Sequence, residues 1–230
     1  MIFAAKKYAP WTPKKLGNLK YWFSTPKITG LTNGDPLDSW INLSGTGYNA
    51  EKITDGQRPR YDTNVLNGQP GVYFERGEGD VLRSTGLTIP QPYTIFVVCS
   101  SSYTLGLAAN IINTPSDIVR IAKEATNLYI NAGTSLNGFA WTEVTSGPVL
   151  ITAEFNGANS NIYLNGQLKA TGNAGTNEMG GLLLGDSPDY NRGVDGYIFE
   201  VIIVGNVPTD EKRGKAHQYI HDMYGITIAA

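Results

Sequence analysis

Residues Gly196-Tyr197-Ile198-Phe199-Glu200-Val201-Ile202-Ile203-Val204 form an almost unbroken apolar run, and Pro208-Thr209-Asp210-Glu211 follows it. A run of this length bounded by turn residues is the pattern of a strand buried on both faces. The stretch behind it has helical period and closes at Tyr224-Gly225. Thr209 is placed to cap the helix, Asp210 and Glu211 fall in the first turn where they complement its dipole, and Gly225 supplies the stop. Ala216, Ile220 and Met223, with Tyr219 beside them, make the apolar stripe expected to pack on the body of the protein. Gly214 inside the helix costs ~1 kcal/mol relative to Ala, so tertiary packing must hold it.

Almost no other helical pattern precedes this segment. Strand signals recur instead, each bounded by Gly, Pro, Asn or Asp: Lys20 to Ser24, Gly71 to Glu75, Val81 to Ser84, Tyr93 to Ser100, Leu107 to Ile112, Ile118 to Lys123, Leu128 to Ala132, Val149 to Phe155, Asn161 to Leu164, Gln167 to Thr171, Gly181 to Leu184 and Gly196 to Val204. Around a dozen strands without βαβ alternation predict an all-β fold, an antiparallel β-sandwich with one C-terminal α-helix. Tyr93 to Cys99 and Ile198 to Val204 are its expected central strands. Asn165-Gly166 predicts a type I′ hairpin, whose two central residues both take positive φ. A chain of 230 residues fits one such domain and buries roughly 70 to 75% of its unfolded surface without a staple.

Composition excludes several function classes. A net charge of −2 offers no field for phosphate backbones, so nucleic acid is not an expected partner. No apolar run approaches the ~20 residues of a membrane span. The single cysteine, Cys99, lies in a strand and reads as a small core residue. Residues 1–10 precede the patterned region and read as an N-terminal arm, followed by one domain over 11–230. The short apolar run of the arm comes before its lysines and carries no cleavage site, so it does not read as a secretory signal, and a cytosolic product is expected.

Several motifs resemble the concanavalin A-like lectin/glucanase superfamily, in particular its laminin G-like jelly-roll branch of bacteriophage and bacterial surface proteins. Trp11-Thr12-Pro13, Leu16, and Leu19-Lys20-Tyr21-Trp22 are similar to the branch's opening. Asp38-Ser39-Trp40-Ile41-Asn42-Leu43-Ser44-Gly45 resembles its "W-x-D-x-S-G" segment, with Asn42 where Asp is usual. Arg58-Pro59, Asn67-Gly68-Gln69-Pro70-Gly71-Val72-Tyr73-Phe74 and Asp80-Val81-Leu82 resemble its central stretch, and the terminal strand and helix complete it. The resemblance spans nearly the whole chain and implies a jelly roll. Ser24-Thr25-Pro26 stand where the branch carries an acidic segment, so no metal role is carried over there.

Each chemistry can be weighed on residue types. Hydrolysis of a glycosidic bond needs two carboxylates across a cleft. The superfamily's glucanases carry a Glu-x-Asp-x-x-Glu run, which is missing here. The clusters Glu75 to Asp80 and Asp186 to Asp195 are rich in glycine or proline and read as solvated turns. Within the second, Asp186, Asp189 and Asp195 offer the hard oxygens that calcium takes, against the plainer reading as turn-forming acids. His217 and His221 stand at i and i+4, yet without a third ligand they read as helix-surface residues. Sugar recognition uses an aromatic platform with polar flanks, and Tyr48, Tyr103, Trp141 and Tyr190 lie in or beside expected loops. Trp22 and Trp40 read as core.

The expected function is that of a non-catalytic virion structural protein: a capsid decoration, head-fibre or tail-appendage component whose jelly roll projects outward and can meet cell-surface polysaccharide. Its partners would be other virion proteins in an oligomeric particle, docked through Lys6, Lys7, Tyr8 and Trp11. A free-standing carbohydrate-binding or adhesion module at an extracellular surface is the first rival, and a glucanase-type glycoside hydrolase the second.

Overall fold

The computed structural model describes residues 11–103 and 108–229. In chain order the strands are β1 (Leu19–Ser24), β2 (Asp35–Pro36), β3 (Ser39–Trp40), β4 (Ala50–Lys52), β5 (Arg60–Leu66), β6 (Gln69–Phe74), β7 (Leu82–Ile89), β8 (Tyr93–Ser101), β9 (Ala109–Asn113), β10 (Arg120–Glu124), β11 (Asn127–Asn131), β12 (Ser135–Ala140), β13 (Val149–Phe155), β14 (Ser160–Leu164), β15 (Gln167–Gly172), β16 (Met179–Leu184) and β17 (Gly196–Val204). Among the described residues two α-helices accompany them, the single turn α1 (Thr142–Thr145) and α2 (Asp210–Tyr224). The strands form two antiparallel sheets. One runs β15-β14-β13-β8-β17-β6-β5-β2 with β1 also on β17, and the other runs β12-β11-β10-β9-β16-β7-β4-β3.

The two most apolar segments of the sequence are adjacent at the centre of the first sheet, where β8 pairs along β17. The other edge of β17 is shared: its first half pairs with β6 and its second half with β1. Alternation along β1 sends Tyr21 and Phe23 into the core between the sheets and Trp22 to the opposite face. That opposite face is covered by α2, which makes a second apolar layer of Leu16, Trp22, Phe96, Leu150, Phe199 and Ile220 with their neighbours. Central strands therefore have no wet face, which accounts for their continuous apolar sequence. Cys99 is buried in β8, and burial pushes its thiol far above the usual range.

Local chemistry sets the boundaries. Thr209 accepts a hydrogen bond from the Lys212 backbone N–H and Gly225 ends α2 at φ +72. Asn165 and Gly166 take φ values of +49 and +85 in the tight β14–β15 turn. The buried stripe of α2 is Ala216, His217, Ile220 and Tyr224, whereas Met223 is half-buried at the helix edge. This corrects the expected stripe and the surface reading of His217. The ring packs edge-on against Phe96, and Nε2 lies 3.0 Å from Thr152 Oγ1. Burial, with Arg213 nearby, lowers the imidazole to about 4 and keeps it neutral. Trp22 and Trp40 are both buried, as their pattern implies.

Gly196 opens β17 so close to β8 that a Cβ there would stand 2.1 Å from the Ser100 carbonyl oxygen. Backbone cannot swing aside as a side chain does, so Gly196→Ala must push the central strand pair apart. We expect a loss of roughly 3 kcal/mol in urea unfolding, and an unchanged midpoint would refute this packing.

Candidate functional site

The carboxylates and aromatics that the sequence nominates lie mostly at one loop end of the sandwich, where most of them are hydrogen-bonded within the protein. Arg76 donates to the carbonyls of Ala108 at 2.7 Å, Asn191 at 2.8 Å and Gly193 at 2.9 Å, and its guanidinium sits 4.4 Å over the Tyr103 ring. A side-chain cation thus gathers a cluster of carbonyls of the type a calcium ion would need. Asp186 accepts from the backbone N–H groups of Ser187 and Arg192 through Oδ1, while its buried Oδ2 has no hydrogen-bond partner among the described residues. Asp189 accepts from Ser187 and Arg192, and Asp195 from Tyr73. Among the described residues no three carboxylate, imidazole or thiol side chains are placed to hold a metal. Asp186, Asp189 and Asp195 are therefore not brought together as a calcium site.

Nor are both acid clusters solvated turns. Asp80 is buried and accepts from the Glu75 backbone N–H, and burial pushes its carboxyl up to about 6. Asp186 is fully buried, and desolvation raises its carboxyl too. The glycines of these loops let the chain fold its own amides over the acids.

The four nominated aromatics do not form a platform. Tyr103 and Trp141 are buried against each other's segments, the Trp141 indole donating to the Tyr103 carbonyl at 2.7 Å. Their rings pack into the end of the sandwich, where an apolar face is worth more in the core than in water. Tyr48 is half-buried beside Gly86 and lines a small polar cleft with Glu51 and Arg83. Tyr190 is half-buried against Gly79. Lys6, Lys7 and Tyr8 lie outside the described residues.

An aromatic cleft stands instead beside α2. It encloses about 520 Å³ and is walled by Trp11, Trp22, Tyr219 and Met223, with Thr12, Lys27, Lys215, Gln218 and Asp222 around it. Trp11 and Tyr219 tilt against each other with centroids 5.6 Å apart. The walls are fixed from below by Glu200. The register of β17 against β8 shifts between Ile198 and Glu200, and this bulge turns Phe199 and Glu200 together toward the helix. Glu200 Oε1 accepts from the Trp22 indole at 2.7 Å and from Tyr219 at 3.0 Å. Oε2 lies 2.6 Å from the Tyr224 hydroxyl, which is also 3.1 Å from the Phe199 carbonyl. Burial pushes this carboxyl up to about 7, partly offset by its hydrogen bonds.

Glu200, Trp22 and Tyr219 went unnoticed in the sequence as a site. The signal was one carboxylate in the middle of an otherwise apolar β17. A buried charge needs donors, and tyrosines on the following helix are near in sequence.

No family model matches the chain, and no curated protein matches it. Solved structures do. The binding domain of Paraclostridial Mosquitocidal Protein 1 superposes with a TM-score of 0.65 at 12% identity, over 89% of this chain and 53% of that one. For the botulinum neurotoxin serotype D binding domain the TM-score is 0.61 at 14% identity, over 89% and 52%. For Trypanosoma rangeli sialidase in complex with the inhibitor DANA it is 0.58 at 10% identity, over 86% and 32%. The chain spans about a third to a half of the length of these structures. At such identity the likeness concerns architecture alone. The chain is a β-sandwich of the jelly-roll type, in keeping with a concanavalin A-like fold.

The Glu200 carboxyl makes a pH-dependent prediction. Its folded value of about 7 exceeds the ordinary 4.5, so the unfolded chain ionises first and stability falls as pH rises across that window. His217 acts in the opposite sense between about 4 and 6.5, where the unfolded chain takes up a proton that the folded imidazole refuses. Glu200→Gln isolates the first effect, because a carboxamide can donate to Tyr224 and accept from Trp22 and Tyr219. We expect the variant to be more stable than the parent at pH 8 by roughly 3 kcal/mol, with the gap closing near pH 5. Thermal melts at both pH values check this, and a gap independent of pH would refute it.

Proposed function

We propose that the chain is a non-catalytic carbohydrate-binding module, and that the Trp11–Trp22–Tyr219 cleft is its binding site. The observation that carries this is the cleft itself: aromatic walls held in place by a buried hydrogen-bonded carboxylate, with amide, carboxylate, hydroxyl and ammonium groups around them. A pyranose has an apolar face and polar edges, and such a cleft offers a partner to each. The toxin binding domains that share the architecture lend support, since one such structure ties cell entry of botulinum neurotoxin type C to two ganglioside molecules.

The placement of the buried acids supports a non-catalytic role. Glycoside hydrolysis asks two carboxyls to flank one bond. Glu200 is enclosed between sheet and helix, while Asp80 and Asp186 are held by backbone donors in the loops. The setting we propose is the outside of a virion, as a capsid decoration, head-fibre or tail-appendage component. This finer reading is supported by the sequence resemblance at Trp11 to Trp22, Asp38 to Gly45 and Asn67 to Phe74.

A glycan array probed with the full chain should give saturable binding to a restricted set of sugars. Trp11→Ala and Tyr219→Phe separate the contributions, because the first removes a stacking face and the second only a hydroxyl. We expect about tenfold weaker binding from the first and at most a threefold change from the second. Reducing ends released from the bound polysaccharide would overturn the non-catalytic reading. An array without a single hit would overturn the carbohydrate reading.

A further inference from the structure

A second cleft of about 400 Å³ adjoins the first, and Lys27 lines both. They also share a floor. Trp22 lines one cleft and Ser24 the other, two residues apart on the same face of β1. Each volume falls within the ~300–1,000 Å³ of ordinary small-ligand sites. The combined groove is longer than one sugar ring needs.

Its charges are unevenly matched. Asp38, on the wall of the second cleft, is held by Lys52 at 3.0 Å and by Arg58 at 3.3 Å. Lys215 pairs with Glu211, and Asp222 accepts from Gln218 at 2.6 Å. Lys27 is exposed at the junction and has no carboxylate partner among the described residues. The second cleft has a buried tryptophan in its floor. Trp40 lines it at 1% exposure, and its indole N–H has no acceptor among the described residues. Ile41 beside it is an exposed apolar side chain. The groove therefore combines apolar faces with a cation that has no carboxylate partner among the described residues. It suits a ligand that has an apolar face and carries a negative charge.

We infer that the two clefts form one extended site for an acidic oligosaccharide, in which the Lys27 ammonium takes a sugar carboxylate where the clefts meet. This rests on the carbohydrate reading above and specifies its ligand class. A neutral oligosaccharide stacks on the same rings but leaves Lys27 unpaired. A uronate or sialate residue matches it. Because Lys27 is exposed, the pair is worth a modest factor that salt screens.

The test uses the full chain with assigned tryptophan indole N–H signals in NMR titrations. The probes are tri-galacturonate and sialyllactose, each beside a neutral counterpart, maltotriose and lactose. At least one acidic probe should shift the Trp11, Trp22 and Trp40 signals together and bind about fivefold or more tightly than its neutral counterpart. Lys27→Gln should abolish that preference, Lys27→Arg should retain it, and added salt should weaken it. Equal affinity for acidic and neutral probes, unaltered by Lys27→Gln but lost in Trp11→Ala, would overturn the acidic ligand and leave the carbohydrate reading in place. Shifts of Trp11 and Trp22 without Trp40 would confine binding to the first cleft and overturn the extended site. No indole shift with any probe would overturn this inference, and an array without a hit would separately remove the reading beneath it.

Discussion

The arrangement turns on one carboxylate sealed between a sheet and a helix. Glu200 is fully buried on the central strand, and the groups that satisfy it come from β1 and α2. A carboxyl in such a place is costly unless donors surround it, so the three elements can adopt few mutual positions. The helix needs this constraint, because Gly214 weakens it and lysine, arginine and histidine interrupt its apolar face. Its attachment is polar as much as apolar: Arg213 reaches Glu154 at 3.0 Å, His217 lies beside Thr152, and Lys212 donates to the Leu16 carbonyl. Glu200 also ties Trp22 and Tyr219, which line the cleft, to a single oxygen.

Two regions of the surface show opposite economies of polar groups. At the loop end, Arg76 and Arg192 bind the carbonyls and carboxylates around them, and Arg192 reaches both Asp117 at 3.1 Å and Asp189 at 3.2 Å. A ligand arriving there would have to break those contacts before making its own, which leaves little net gain. Along the groove Lys27 has no carboxylate partner among the described residues, and the rings of Trp11, Trp22 and Tyr219 line a cleft. On the proposed reading, recognition is favoured on the helix side of the sandwich, where a ligand meets ring faces and an exposed ammonium without first breaking such contacts.

Much of the architecture was legible because its period was clear. The continuous apolar segments became β8 and β17, the Asn165-Gly166 pair became a tight hairpin, and the caps of α2 fell at Thr209 and Gly225. Strands with a weaker pattern were missed. In β5, Arg60-Tyr61-Asp62-Thr63-Asn64-Val65-Leu66 mixes polar residues with a positive φ at Asn64, and β12 carries a glycine and only one fully buried residue. Such segments, one next to a sheet edge and one at it, are held by their partners more than by their own pattern. The site was harder to read because its parts come from β1, β17, α2 and Trp11, far apart in the chain. Tyr103 and Trp141 failed as candidates for a related reason: a loop-like sequence says where the backbone turns, not whether its aromatic ring turns inward.

On the proposed reading, the same geometry links recognition to the docking of the helix. Trp22 belongs to the sheet and Tyr219 to α2, yet both line one cleft and donate to one oxygen of Glu200. A ligand touching both rings bridges two elements whose separation would dismantle its own site. Ligand then binds only the docked state, and mass action adds to the stability of that state. Conversely, a change that loosens α2 from the sheet weakens binding only in proportion to the docked fraction it removes. The protein needs no moving lid to couple the two. A single buried carboxylate, shared by a strand tryptophan and a helix tyrosine, is sufficient.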